Sequence, residues 1–139
     1  MFYELSASTW GPEEIEAVRR SVEAHRRFLT EATEALRLFH VLMFEALGPR
    51  PELAGEYGRL HRHLKVMGGE WIAAGARAGD VRKDVDPEAA AVMIVAALGG
   101  IAYQYLLDPD GVDLDRVYPQ LADTLERGLS SVTQIESSP

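Results

Sequence analysis

The sequence carries no charged residue between Ala89 and Leu107. A helix over this segment would be apolar on every side, so more than one of its faces must be covered. The chain has 139 residues and is about one domain long, so we expect a second copy of the chain to supply part of that cover. The segment therefore predicts a central helix that also forms a dimer interface.

The same segment is close to the length that a bilayer crossing needs. Its composition argues against lipid, because it is rich in alanine and its flanks are acidic (Asp86, Glu88, Asp108 and Asp110) without a nearby Lys or Arg anchor. The first residues show no basic start followed by an apolar run, so we expect no signal peptide. The lack of cysteine fits a reducing compartment. We therefore expect a cytoplasmic protein with no membrane partner.

The composition also argues against several kinds of chemistry. A net charge of −8 disfavours direct contact with a nucleic-acid backbone. No Ser-His-Asp cluster, phosphate-binding glycine loop or paired carboxylate motif is present, so we predict no enzyme and no cofactor. His61 and His63 point to nearly opposite sides of a helix, and His25 and His40 are too far apart along one continuous helix to share an ion. We therefore predict no metal site.

Helix signals account for most of the chain. A helix start at residues 9–14 is followed by an apolar stripe from Ile15 to Met43, with a break expected near Thr30–Thr33 and an end at Leu47. Further helices are predicted over Pro51–Ala78, from Asp86 or Pro87 to Leu107, and over Leu114–Leu129. The pair Gly68-Gly69 predicts a bend or a close helix crossing.

No alternating strand pattern and no internal repeat is present. The fold class is therefore all-α, a helical bundle of about five helices. We assign residues 1–129 to one effector-binding and dimerisation domain and residues 130–139 to a flexible tail.

Several short motifs occur in a characteristic order from Gly75 onward. They are Ala78-Gly79-Asp80-Val81-Arg82, Asp84-Val85-Asp86-Pro87-Glu88-Ala89-Ala90, Leu98-Gly99-Gly100-Ile101, Gln104, and Leu121-Ala122-Asp123 with Leu125. In this order they resemble the C-terminal ligand-binding and dimerisation domain of TetR-family transcriptional regulators. The resemblance is diffuse over Pro51–Gly75 and little more than compatible helix over Met1–Thr33.

The resemblance implies a repressor domain that senses a small ligand and forms a homodimer through its last two helices. Regulators of this family carry a helix-turn-helix before this domain, and no basic recognition helix is visible here. We therefore expect DNA contact only through a helix-turn-helix absent from this chain. The expectation leaves open whether the chain is a fragment or a natural protein without a DNA reader.

The candidate dimer interface combines one side of the uncharged helix with the last helix. Alanine and glycine there allow two helices to approach closely, and the family arrangement is four helices around a two-fold axis. The predicted interface residues are Met93, Ala97, Gly100, Gln104, Val117, Leu121 and Leu125. The alternative is a core helix in a monomer.

The candidate ligand site consists of large, adaptable apolar side chains with a few polar groups, as is typical of small-molecule sites. The predicted residues are His25, Phe39, His40, Met43, Met67, Trp71 and Tyr103. We expect a small apolar effector, and the alternative reading of the same residues is plain core. The basic run from Arg59 to Lys65 is expected to be a solvated helix face rather than a site for an anionic effector.

Two other functions remain open from the sequence. One is a stand-alone interaction module that lacks a DNA reader and forms a heterodimer with a full-length regulator through the same two helices. The other is a small helical enzyme or carrier that uses the same pocket.

Overall fold

The computed structural model describes residues 16–131, and this part of the chain contains five helices. They are α1 (Glu16–Glu31), α2 (Thr33–Ala46), α3 (Pro51–Ala78), α4 (Pro87–Leu107) and α5 (Leu114–Leu129). The predicted all-α bundle is confirmed, and the last three helices have the predicted bounds. The helix start predicted near Pro12 and most of the predicted tail, residues 132–139, lie outside the described residues.

The helix is interrupted between α1 and α2 at Ala32, whose φ is −125° and ψ is 39°. Threonine hydroxyls on both sides bond back to the preceding turn: Thr30 Oγ1 donates to the Arg27 carbonyl at 3.1 Å, and Thr33 Oγ1 donates to the Leu29 carbonyl at 2.8 Å. Such bonds compete with the regular helix ladder and bend it. The break predicted near Thr30–Thr33 is confirmed.

α3 crosses α4 closely at Gly69. A Cβ atom placed on Gly69 would lie 3.7 Å from the carbonyl oxygen of Pro87, at the first turn of α4. α3 stays helical through this point, so the glycine pair serves a close crossing rather than a chain break. α4 begins next to the crossing, where the Asp86 carboxylate accepts hydrogen bonds from the amides of Glu88 and Ala89, both at 3.1 Å.

A tight turn connects α3 to α4. Gly79 ends α3 with a φ of 90°, a left-handed conformation that glycine adopts without strain. One turn earlier, a Cβ atom on Gly75 would lie only 2.7 Å from Cγ2 of Val81. Because Val81 is buried, the turn is packed directly against the end of α3.

The same turn holds the end of α5. Val81 and Ser130 form an isolated antiparallel bridge, the amide of Arg82 donates to the Leu129 carbonyl at 2.8 Å, and the amide of Ser131 donates to the Asp80 carbonyl at 3.0 Å. These backbone hydrogen bonds hold residues 130 and 131 against the turn. The division of the chain into a domain and a tail at residue 130 stays a prediction.

The core joins all five helices. α3 packs most extensively against α4, and α1 against α5, while α2 packs mainly on α3. The largest fully buried side chains are Leu29 of α1, Ile72 of α3 and Tyr118 of α5. The bundle is thus two tightly packed helix pairs, α1/α5 and α3/α4, with α2 beside them.

α4 is apolar on both its buried and its exposed sides, as predicted. Ala91, Ile94 and Ala102 face the core, while the side chain of Met93 is 69% exposed. By length and composition alone, α4 could cross a membrane, and in residues 16–131 no other helix passes that test. A core helix of a soluble protein can pass the same test.

Candidate functional site

A small, partly open cavity of about 110 Å³ lies among α1, α2, α3 and α4. Apolar side chains form most of its wall, and histidines supply its polar atoms. Its lining residues are His25, Leu36, Phe39, His40, Met43, His61, Leu64, Val95, Leu98 and Gly99. We call this space the inner cavity.

His25 joins the inner cavity to α5. Its Nδ1 atom lies 2.8 Å from the hydroxyl of Tyr118, which is almost fully buried. Burial first, and then the nearby charge of His40, lower the pKa of His25 to about 4. Burial also raises the pKa of Tyr118. The pair is therefore neutral at physiological pH, and the hydrogen bond between the two rings is a neutral one.

His40 is buried at the wall between α2 and α4. Its Nδ1 atom lies 2.8 Å from the Leu36 carbonyl oxygen, and its Nε2 atom lies 3.3 Å from the Gly99 carbonyl oxygen. Both neighbours are acceptors, so the neutral ring donates to one of them and only the protonated ring donates to both. The break between α1 and α2 at Ala32 places His25 and His40 on one cavity, whereas along one continuous helix they would lie too far apart to meet.

A larger open groove of about 500 Å³ lies outside the inner cavity, between α2, α3 and α4. The inner cavity and this outer groove share four lining residues, Met43, His61, Val95 and Gly99. Gly99 lies at this junction, and a Cβ atom built there meets no atom within 4 Å. A ligand could therefore extend from the groove into the cavity past Gly99.

The predicted ligand residues fall into two groups in the structure. His25, Phe39, His40 and Met43 line the inner cavity, and Met43 and Tyr103 line the outer groove. The other two lie elsewhere: Trp71 packs against the core cluster near α1 and α5, and Met67 lines neither space. Ligand binding by any of the seven stays a prediction.

Several lining residues were not among the predicted ones. Val95 and Gly99 come from α4, and Arg62 and Lys65 come from the basic run that was expected to face solvent. Helical spacing could have indicated the residues of α3. Arg62 and Lys65 lie on the same side of this helix as Gly58 and His61.

The predicted interface residues lie along α4 and α5. Met93 and Gln104 are exposed, and Val117, Leu121 and Leu125 are partly buried. Two open clefts lie between the two helices, one of about 510 Å³ with Gln104 and Val117 in its wall, and one of about 440 Å³ with Met93 and Leu125. Of the remaining interface residues, Ala97 and Gly100 are partly buried, and Gly100 also borders the outer groove.

Within residues 16–131, no group of three or more metal-ligating side chains is present. The polar groups of the inner cavity are histidine ring nitrogens and backbone carbonyls rather than carboxylates. This arrangement suits recognition of a mostly apolar molecule by a few hydrogen bonds.

Comparison with known families gives one match over most of the chain. Residues 14–130 match the family model described as "BetI-type transcriptional repressor, C-terminal". No curated protein and no solved structure is significantly similar to the chain.

Proposed function

This chain belongs to the family of BetI-type transcriptional repressor C-terminal domains, a TetR-like family, and on that premise we propose that it is the sensing and dimerising half of a ligand-controlled repressor. The family is one of regulators rather than enzymes, and its members are soluble. We propose a cytoplasmic location for this one. DNA contact would be made by a helix-turn-helix outside these helices.

The effector is a small, mainly apolar molecule that binds in the inner cavity and the outer groove. The observation that carries this proposal is the junction at Gly99, where a mostly apolar cavity opens into a groove of about 500 Å³. The groove volume is in the range of small-molecule sites, and its apolar walls with a few polar atoms have their usual composition.

The dimer forms through α4 and α5. The exposed apolar side of α4 needs a cover, and the two clefts beside α5 can accept side chains of a second copy. Gly100 lies at the edge of this side of α4, next to the outer groove, and has no side chain that would keep a partner helix away. The contact would be isologous, with both copies using the same two helices.

The effector site can be tested by closing the junction with Gly99→Leu. The neutral fluorophore N-phenyl-1-naphthylamine serves as the apolar probe, and its binding is followed by its emission. We expect the variant to bind it at least about tenfold more weakly, because the new side chain occupies the path into the inner cavity. Gly55→Leu on α3 is the matched control, since Gly55 lines neither space and should leave binding unchanged.

Equal probe affinity in wild type and Gly99→Leu, with both proteins folded by circular dichroism, would contradict the assignment of this site. Weakening of the same size in Gly55→Leu would also contradict it, because the effect would then come from the helix and not from the junction.

The dimer can be tested with Met93→Glu, followed by sedimentation velocity over a range of protein concentrations. We expect the wild type to sediment as a dimer and the variant as a monomer, because a charge would be buried without a partner. Val66→Glu is the matched control, since Val66 is an exposed apolar residue of α3 outside the proposed interface. A wild type that stays monomeric would refute the homodimer and leave pairing with a full-length regulator as the role of α4 and α5.

A further inference from the structure

The charges in the outer groove have one sign. Among its lining residues, the two with a permanent charge are Arg62 and Lys65, both on α3, and no carboxylate is among them. The chain as a whole has a net charge of −8. The rim of the groove is therefore positively charged although the protein as a whole is acidic. Such a local positive potential attracts anions to the groove.

Arg62 is available to bind an anion. Gly58 lies one turn before it on α3, and a Cβ atom there would be 3.3 Å from Nη1 of Arg62, so the guanidinium lies against bare backbone. Within residues 16–131, no carboxylate forms an ion pair with Arg62. Arg59, on the same helix, pairs with Glu56. A planar guanidinium without a carboxylate partner can bind a carboxylate or phosphate through two parallel hydrogen bonds.

Lys65 adds a second positive charge about one turn further along α3. Its ammonium is 3.3 Å from Glu88 at the start of α4, and its side chain is only 34% exposed. Glu88 is 73% exposed and does not line the groove. An ammonium has three hydrogen-bond donors, so Lys65 can bind a ligand oxygen while it keeps its ion pair with Glu88. Arg62, Lys65 and Glu88 together carry one net positive charge.

The opposite wall of the groove is mainly apolar, and Tyr103 of α4 also lines it. α4 contributes Val92, Val95 and Ala96, α2 contributes Met43 and Phe44, and the inner cavity lies behind them. Polarity therefore changes across the groove, from two cations on α3 to aliphatic and aromatic carbon on α2 and α4.

We propose that the effector is an amphipathic anion, with a carboxylate or phosphate head bound by Arg62 and Lys65 and a single apolar chain that runs along α4 into the inner cavity. This inference rests on the proposed function, because it names the chemical class of the effector for the same site. The cations give specificity for the head group, and the apolar wall supplies most of the affinity.

Calorimetric titration with four ligands that share a chain tests the head group. Dodecanoate, dodecyl phosphate, dodecanol and dodecyltrimethylammonium are titrated below their critical micelle concentrations. We expect the anions to bind about tenfold more tightly than dodecanol, and the cation to bind most weakly. The tighter of the two anions identifies the head. Added salt should weaken the anions and leave dodecanol unaffected.

Charge-neutral variants then assign the preference to residues. Arg62→Gln and Lys65→Gln should each remove most of the preference for the anions while dodecanol affinity changes less than about twofold. Arg59→Gln is the matched control, because it makes the same change on the same helix outside the groove and should keep the full preference.

Three results would overturn the inference and leave the apolar site in place: equal binding of dodecanoate and dodecanol, tightest binding of the cation, or an anion preference that survives in both groove variants. Lack of binding by dodecanol and the anions alike, together with a Gly99→Leu variant that binds the fluorophore like wild type, would instead refute the proposed effector site itself.

Discussion

His25 makes the stability of this domain depend on pH between about 4 and 6.5. Its pKa falls from the ordinary value of 6.5 to about 4 in the folded protein, first because of burial and second because of the charge of His40. The unfolded chain therefore binds a proton over this range that the folded domain does not. Stability is fully retained above the unfolded pKa and is lost as the pH falls towards the folded pKa.

The size of this loss follows from the difference between the two pKa values. At pH 5 the His25 side chain is mostly protonated in the unfolded chain and mostly neutral in the folded domain. The free energy of unfolding is then lower than at pH 7 by about 2 kcal/mol, and below pH 4 the loss approaches about 3 kcal/mol. Because small domains have net stabilities of about 5–15 kcal/mol, the change is readily measured.

The assay is urea unfolding of wild type and His25→Gln at pH 7 and pH 5, at fixed protein and salt concentrations. Glutamine can still hydrogen-bond to the Tyr118 hydroxyl but does not titrate. We expect the free energy of unfolding to fall from pH 7 to pH 5 by about 2 kcal/mol more in the wild type than in the variant.

Equal losses in wild type and His25→Gln would refute this reasoning. They would mean that His25 is as well solvated in the folded domain as in the unfolded chain. In that case the inner cavity would not be the low-dielectric space that its apolar lining indicates.

Three further substitutions test individual contacts through their effect on the stability of the folded domain. Gly75→Ala should destabilise the domain by about 1–3 kcal/mol despite its gain in helix propensity, because its Cβ would lie 2.7 Å from buried Val81; an unchanged melting temperature would refute this contact. Asp86→Ala should cost about 1 kcal/mol in urea unfolding through loss of the α4 cap, whereas the exposed Asp84→Ala should cost less than about 0.5 kcal/mol; equal costs would contradict the cap. Ile72→Ala should cost about 2–5 kcal/mol, and a smaller loss would contradict its complete burial.

The helices could be predicted because their ends are encoded locally. Pro51 can occupy only the first turn of α3, Gly79 supplies the left-handed residue that ends it, and Asp86 and Asp113 cap α4 and α5. The threonines around Ala32 likewise encode the break between α1 and α2. Each signal acts over a few residues, so it can be read without the tertiary structure.

The sequence could not separate cavity residues from core residues on α3, because one apolar stripe of this helix faces two environments. Before the crossing with α4 at Gly69, Leu64 lines the inner cavity; beyond it, Trp71 and Ile72 pack into the core. Helical spacing alone groups these residues together. Only the crossing point separates the cavity residues of α3 from its core residues.

The position of the inner cavity relates ligand binding to the proposed dimer. His25 contributes to the cavity from the α1/α5 pair, whereas His61, Val95 and Gly99 contribute from the α3/α4 pair, so the cavity lies at the seam between the two pairs. α1 is bound to α5 by the hydrogen bond between His25 and Tyr118 and by the ion pairs Arg19–Glu126 and Arg26–Asp115. A ligand that widens this seam would move one pair relative to the other. Because each pair supplies one helix of the proposed interface, that movement would reach the dimer face directly.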